Sequence, residues 1–179
     1  SSSSAASDVY KRQVNVNANA VTTLTGTAAA IATAISASTI NTAVDVAVTV
    51  GAGSTAASDL NTIVSNTSAI VDATSVTAIT GTASAFDTLV AAATADPATI
   101  DLLADFAATV TDPATVTQVN TIDANNGTGQ ITATISNGDV ADLVKLTGTH
   151  AYTITVTNGS VDAADPVSYT HLTLPTKRI

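Results

Sequence analysis

Aspartate dominates the residue types able to do chemistry in this chain. Between residues 14 and 166 stand thirteen Asp, one Lys (Lys145) and one His (His150), with no Glu, Arg, Cys, Met or Trp. A Ser–His–Asp site there would need His150 as the base that takes the hydroxyl proton. His150 follows a Thr-Gly-Thr string and precedes an alternating segment. That is a strand entry, where a plain surface or turn residue is expected. One His without Cys leaves no ligand set for zinc. Paired carboxylates could serve a glycosidase as acid and base. Asp101 and Asp105, four apart, and Asp139 and Asp142, three apart, would each share a helix face. The aromatics that stack on sugars are nearly missing, so solvated helix faces or caps are the better reading of both pairs. No enzyme is expected.

Calcium is the better use for so much Asp, because hard oxygen ligands suit it and Asp, Asn, Gly and Thr in turns supply them. The segments with that composition are Asp123–Asn126 and Asn137–Asp139, and the candidate ligands are Asp123, Asn137 and Asp139. Neither segment has the spacing of an EF-hand or of the glycine-rich nonapeptide of calcium β-rolls. No other cofactor is expected: residues 51–53 (GAG) lack the Lys and the downstream pattern of a phosphate loop. Thr-x-Thr strings at 109–111, 132–134, 153–155 and 155–157 suggest a different chemistry. Stacked in register, such strands would form flat ladders of hydroxyls and methyls repeating at about 4.8 Å. A ladder of that kind could hold ice or a glycan. The plainer reading is that Thr covers the solvent face of each strand.

The elements that must position these residues are legible from periodicity. Strands alternate with period two: Val46, Val48 and Val50; Ile131, Ala133 and Ile135; Ile154 and Val156, with further strands near 21–24, 70–79 and 107–111. Helices fit between them. Asp96–Pro97 and Asp112–Pro113 read as helix starts, Asp as N-cap and Pro at the first helical position. Ile100, Leu103 and Phe106 then follow at helical spacing, as do Val116, Val119 and Ile122. Asp139 precedes a third helix carrying Val140, Leu143 and Val144; residues 28–36 and 83–93 are also helix-like. Asn125-Asn126-Gly127, Asn137-Gly138 and Asn158-Gly159 mark turns. Strand–helix alternation implies crossovers and a parallel sheet. The expected fold is α/β, an elongated, solenoid-like repeat of short parallel strands and short helices. All-β sandwich modules or a β-helix remain the rival, because Thr and Val favour strands.

Composition supports thin layers. The apolar side chains are small, and the only aromatics between residues 14 and 166 are Phe86, Phe106 and Tyr152. Ala, Val, Ile and Thr suit units that pack only on their neighbours. A net charge of −12 over that stretch repels phosphates and anionic membranes, so neither nucleic acid nor a membrane surface is an expected partner. No run of 18 apolar residues exists to span a bilayer. Short strings recur: TGT at 25–27, 80–82 and 147–149, NTI at 61–63 and 120–122, and VTVGAGSTAASD (48–59) against ITVTNGSVDAAD (154–165). Their offsets share no period, so the repeat is degenerate or made of smaller units.

The string DPATVTQVNTID (112–123), with the TGT and YTITVT segments, resembles tandem repeats of very large secreted or surface proteins of bacteria, notably aquatic ones. The resemblance covers most of residues 75–165. It implies an extracellular structural or adhesive role, with neighbouring repeats as the first partner and a glycan or other surface as a further one. It transfers no catalytic residue.

The two ends read differently. SSSSAASDVYKRQ (1–13) can be encoded by a DNA string whose complementary strand, in one frame, encodes VSYTHLTLPTKR. The chain ends in that same string followed by Ile179. One duplex therefore accounts for both ends, and it resembles a transposase adapter of sequencing libraries. Residues 1–13 and 167–179 are expected to be translated adapter, flanking a fragment of a repeat array at 14–166. Foreign segments are set aside before fold reasoning.

Overall fold

A computed structural model of the chain describes residues 15–157. The segments read as adapter, the Asn158-Gly159 turn and most of the 154–165 string lie outside the described residues. In chain order the elements are β1 (Val16–Ala18), β2 (Thr23–Gly26), α1 (Ala28–Ser36), β3 (Ile40–Thr42), β4 (Ala47–Val50), β5 (Gly53–Ala56) and α2 (Ala57–Asn66). There follow β6 (Val71–Ala73), β7 (Val76–Gly81), α3 (Ala83–Ala93), β8 (Ile100–Leu102), β9 (Ala107–Val110), α4 (Val116–Asp123), β10 (Ile131–Thr134), α5 (Val140–Leu143) and β11 (Ala151–Thr153).

Four of the five helices described start where a short polar side chain takes an orphan backbone N–H. The Thr27 hydroxyl accepts from the Ala30 amide, Thr82 from Ala85 and Thr115 from Gln118, while the Asp139 carboxylate accepts from Ala141. Such caps stabilise a helix by about 1 kcal/mol. Around Thr115 the Gln118 side chain also accepts from the Thr115 amide, closing a capping box. Only α2 begins without a side-chain cap, at Ala56. Four residues after each N-cap stands a buried apolar side chain: Ile31, Leu60, Phe86, Val119 and Leu143. That position points each helix inward.

All strand pairs are parallel, and they form three sheets: β1–β3, β2–β4–β6–β8 and β5–β7–β9–β10–β11. Each strand pairs with one from the next circuit of the chain. Thr23 lies opposite Ala47 (24 residues on), Val48 opposite Val71 (23), Val71 opposite Ile100 (29), Ala108 opposite Ile131 (23) and Thr132 opposite Ala151 (19). The helices pack in the same succession, α1 on α2, α2 on α3 and α3 on α4. Val48, Val71 and Ile100 from the four-stranded sheet and Ile79, Ala108 and Ile131 from the five-stranded sheet join the helix residues in one buried cluster. The fold is α/β with parallel sheets and alternating short strands and helices, as the periodicity implies, and not all-β.

Several elements differ from expectation. Helices α1 and α3 occupy the expected residues 28–36 and 83–93. The uncapped α2 has no start signal in the sequence. Asp96–Pro97 starts no helix; the peptide is cis, and Ile100 lies in β8, in register with Val71. Spacing by three also arises when a strand is followed by a tight turn, and here Phe106 is buried just before β9. The helix after Asp112 is real, but Thr115 caps it. The Asp112 carboxylate instead accepts from the Ala83 amide of α3, at 2.7 Å, one circuit back. The expected strand at 70–79 is two, broken at Thr74-Ser75, and the strand expected around Ile154 and Val156 is assigned three residues earlier.

Candidate functional site

The three candidate calcium ligands occupy two places. Asp139 caps α5 through the Ala141 amide at 2.8 Å. Asn137, two residues before it, turns its Oδ1 to the Val116 amide at the start of α4 (3.0 Å) and donates from Nδ2 to Asp142 (3.1 Å). Asp123 ends α4 and faces His150. The structure thus brings Asn137 and Asp142 together and commits an oxygen of each candidate to a donor of the protein. Among the described residues no group of three or more His, Cys, Asp or Glu is placed to hold a metal ion.

His150 is not the plain surface residue its sequence position suggests. Its side chain is 6% exposed, and Nε2 lies 2.6 Å from Asp123 Oδ1. Nδ1 accepts from the Ile131 amide at 3.2 Å, at the entry to β10. An N–H donor facing Nδ1 assigns the remaining ring proton to Nε2, which donates to Asp123. Both nitrogens are committed, so neither can take a proton from a hydroxyl as a general base. Burial raises the Asp123 carboxyl, but hydrogen bonds from Thr147 and His150 outweigh it and hold the group below the ordinary carboxylate value. Tyr152 stands edge-on to the imidazole, ring centroids 5.5 Å apart. Burial, and then the Asp123 charge, push its phenol well above the ordinary value. The signal for this pair was a helix-ending Asp and a strand-entering His; only the stacking of circuits shows that they meet.

The carboxylate pairs do not form an acid–base site. Asp101 and Asp105 share no helix: Asp101 is in β8 and Asp105 in the turn before β9. Asp105 accepts from the Thr128 amide and hydroxyl, which hold its carboxyl below the ordinary value. Asp139 and Asp142 do share α5, where Asp142 pairs with Lys145 at 2.9 Å. Hydrogen bonds from Lys145 and Asn137 hold Asp142 low as well. A catalytic pair needs one member raised, whereas Asp105 and Asp142 are both held low.

The threonines are placed more regularly. Thr80, Thr109 and Thr132 are register neighbours across β7, β9 and β10, and Thr134 lies opposite Thr153. On the four-stranded sheet the matching column runs Thr25, Thr49, Asp72, Asp101. Set against known families, curated proteins and solved structures, the chain matches none.

Proposed function

We propose that this chain is a non-catalytic structural segment, a solenoid-like stack of short repeats within a large secreted or cell-surface bacterial protein, serving as a spacer or adhesive surface. The observation that carries this reading is a polar stitch repeated at one helix position. Five residues after their N-caps, Asn61 of α2 and Asn120 of α4 donate to carbonyls of the next circuit, those of Ala85 and Lys145. Asp87, at the same position of α3, accepts from Gln118 of α4 at 2.8 Å. These three side chains are spent on joining one circuit to the next. That suits a molecule whose first partner is its own neighbouring repeat. The extracellular setting is supported by the resemblance of residues 75–165 to surface repeats.

Small-angle scattering tests the reading. Two copies of residues 14–166 joined in tandem should be longer than one copy at unchanged cross-section, with each circuit adding roughly 4.8 Å. Growth in all directions would overturn it.

A further inference from the structure

We propose that the outer face of the five-stranded sheet binds ice. The proposal rests on the stacked-circuit reading above, because only stacking extends the face. No charged residue occurs in β5, β7, β9, β10 or β11. That is unusual in a chain with 14 acidic residues, and the four-stranded sheet presents Asp72 and Asp101 in its equivalent column. What the neutral face offers is hydroxyl. Thr109, Thr132, Thr134 and Thr153 are exposed and Thr80 is half-buried.

Among the described residues no hydrogen bond engages the side chains of these five threonines. Several helix and cap threonines are instead spent on the backbone. Thr33, Thr62, Thr88 and Thr121 each donate to the carbonyl four residues earlier in their helix, and Thr27, Thr82 and Thr115 are caps. The parallel ladder spaces neighbouring columns' hydroxyls by about 4.8 Å across strands and about 6.6 Å along them. A regular array of donor–acceptor groups with methyls between them matches a lattice of water. The face does not suit a sugar polymer, since sugars are gripped by stacked aromatic rings, and the only aromatic in these strands, Tyr152, is half-buried against His150. With no cationic side chain, the face has nothing for an anion.

Ice-affinity partitioning of the whole chain tests this. The protein should enter a slowly grown ice phase in excess of a non-binding control protein. The double variant Thr109→Lys with Thr132→Lys should fall to the control level, and the milder Thr109→Ala with Thr132→Ala should fall with it. Thr25→Lys with Thr49→Lys, on the four-stranded sheet, should partition as the parent does. Far-UV circular dichroism confirms the fold of each; if the lysine pair misfolds, the alanine pair decides. Exclusion of the parent chain from ice would overturn the proposal, as would equal loss in both sheets' variants or retention on insoluble cellulose or chitin instead. Scattering keeps the two readings apart: an elongated tandem excluded from ice removes only the ice proposal, whereas isotropic growth removes both.

Discussion

The imidazole of His150 holds two circuits together through opposite sides of one ring. Removing it leaves the Ile131 amide and the Asp123 carboxylate without their partners, and an unmet buried polar group costs about 1–3 kcal/mol. His150→Ala should therefore lower unfolding stability by roughly 2 kcal/mol in a urea titration. A loss within ±0.5 kcal/mol, typical of neutral surface changes, would show the contact to be dispensable. Asp123 adds a pH dependence of known sign. Its carboxyl is held below the ordinary value of 3.8 in the folded chain, so the unfolded chain binds the proton more readily. The stability it contributes is fully present above that value and is lost as pH falls through the lower folded one. Asp123→Asn should flatten the decline in melting temperature at acid pH relative to the parent. An unchanged slope would mean that Asp72, Asp105 and Asp142, also held low, carry that dependence.

Among the elements, the helix starts separate local from long-range capping. Thr115→Ala should cost about 1 kcal/mol by removing the cap and capping box of α4. Asp112→Ala leaves that box intact and uncaps the Ala83 amide instead. Hydrogen exchange should then quicken at the start of α3 and not at the start of α4; the reverse result would return Asp112 to its own helix. Gly129 shows how closely the circuits approach. A Cβ there would fall on the Phe106 carbonyl, with the Asn126 amide nearby. Asn126 is fully buried, and its Nδ2 donates to the Gly129 carbonyl at 2.8 Å. Gly129→Ala should be among the most damaging single changes, read as loss of a cooperative melt at a temperature where the parent stays folded.

For the whole molecule, calcium is the informative ligand. A native-state ligand must raise the melting temperature, by an amount that grows with the logarithm of its concentration over Kd. The candidate oxygens of Asp123, Asn137 and Asp139 already accept from protein donors. Melting in millimolar calcium and in chelator should therefore coincide. A higher midpoint in calcium would place an ion among these side chains and make the segment a calcium-stabilised repeat.

The succession of circuits was half hidden in the sequence, and particular residues show why. TGT at 25–27 and 80–82 ends a strand and supplies the N-caps Thr27 and Thr82, while the copy at 147–149 lies in the turn before β11. NTI at 61–63 and 120–122 falls at one helix position, where Asn stitches outward and Ile63 and Ile122 are buried. Aligned on their N-caps, α2, α3 and α4 agree at both positions, with a polar stitch at Asn61, Asp87 and Asn120 and a buried aliphatic at Ile63, Leu89 and Ile122. The loops between them differ in length, so no single period survives in the chain.

Local chemistry favoured the α/β class over its all-β rival and marked the bounds of α1 and α3, because periodicity and caps act within one turn of helix or one strand. Tertiary structure alone decided which circuit a side chain serves. Asp112, Asn137 and His150 each satisfy a backbone amide 19 to 29 residues earlier in the chain. No local spacing encodes those partners; they are set by how far each loop carries the next strand before it pairs.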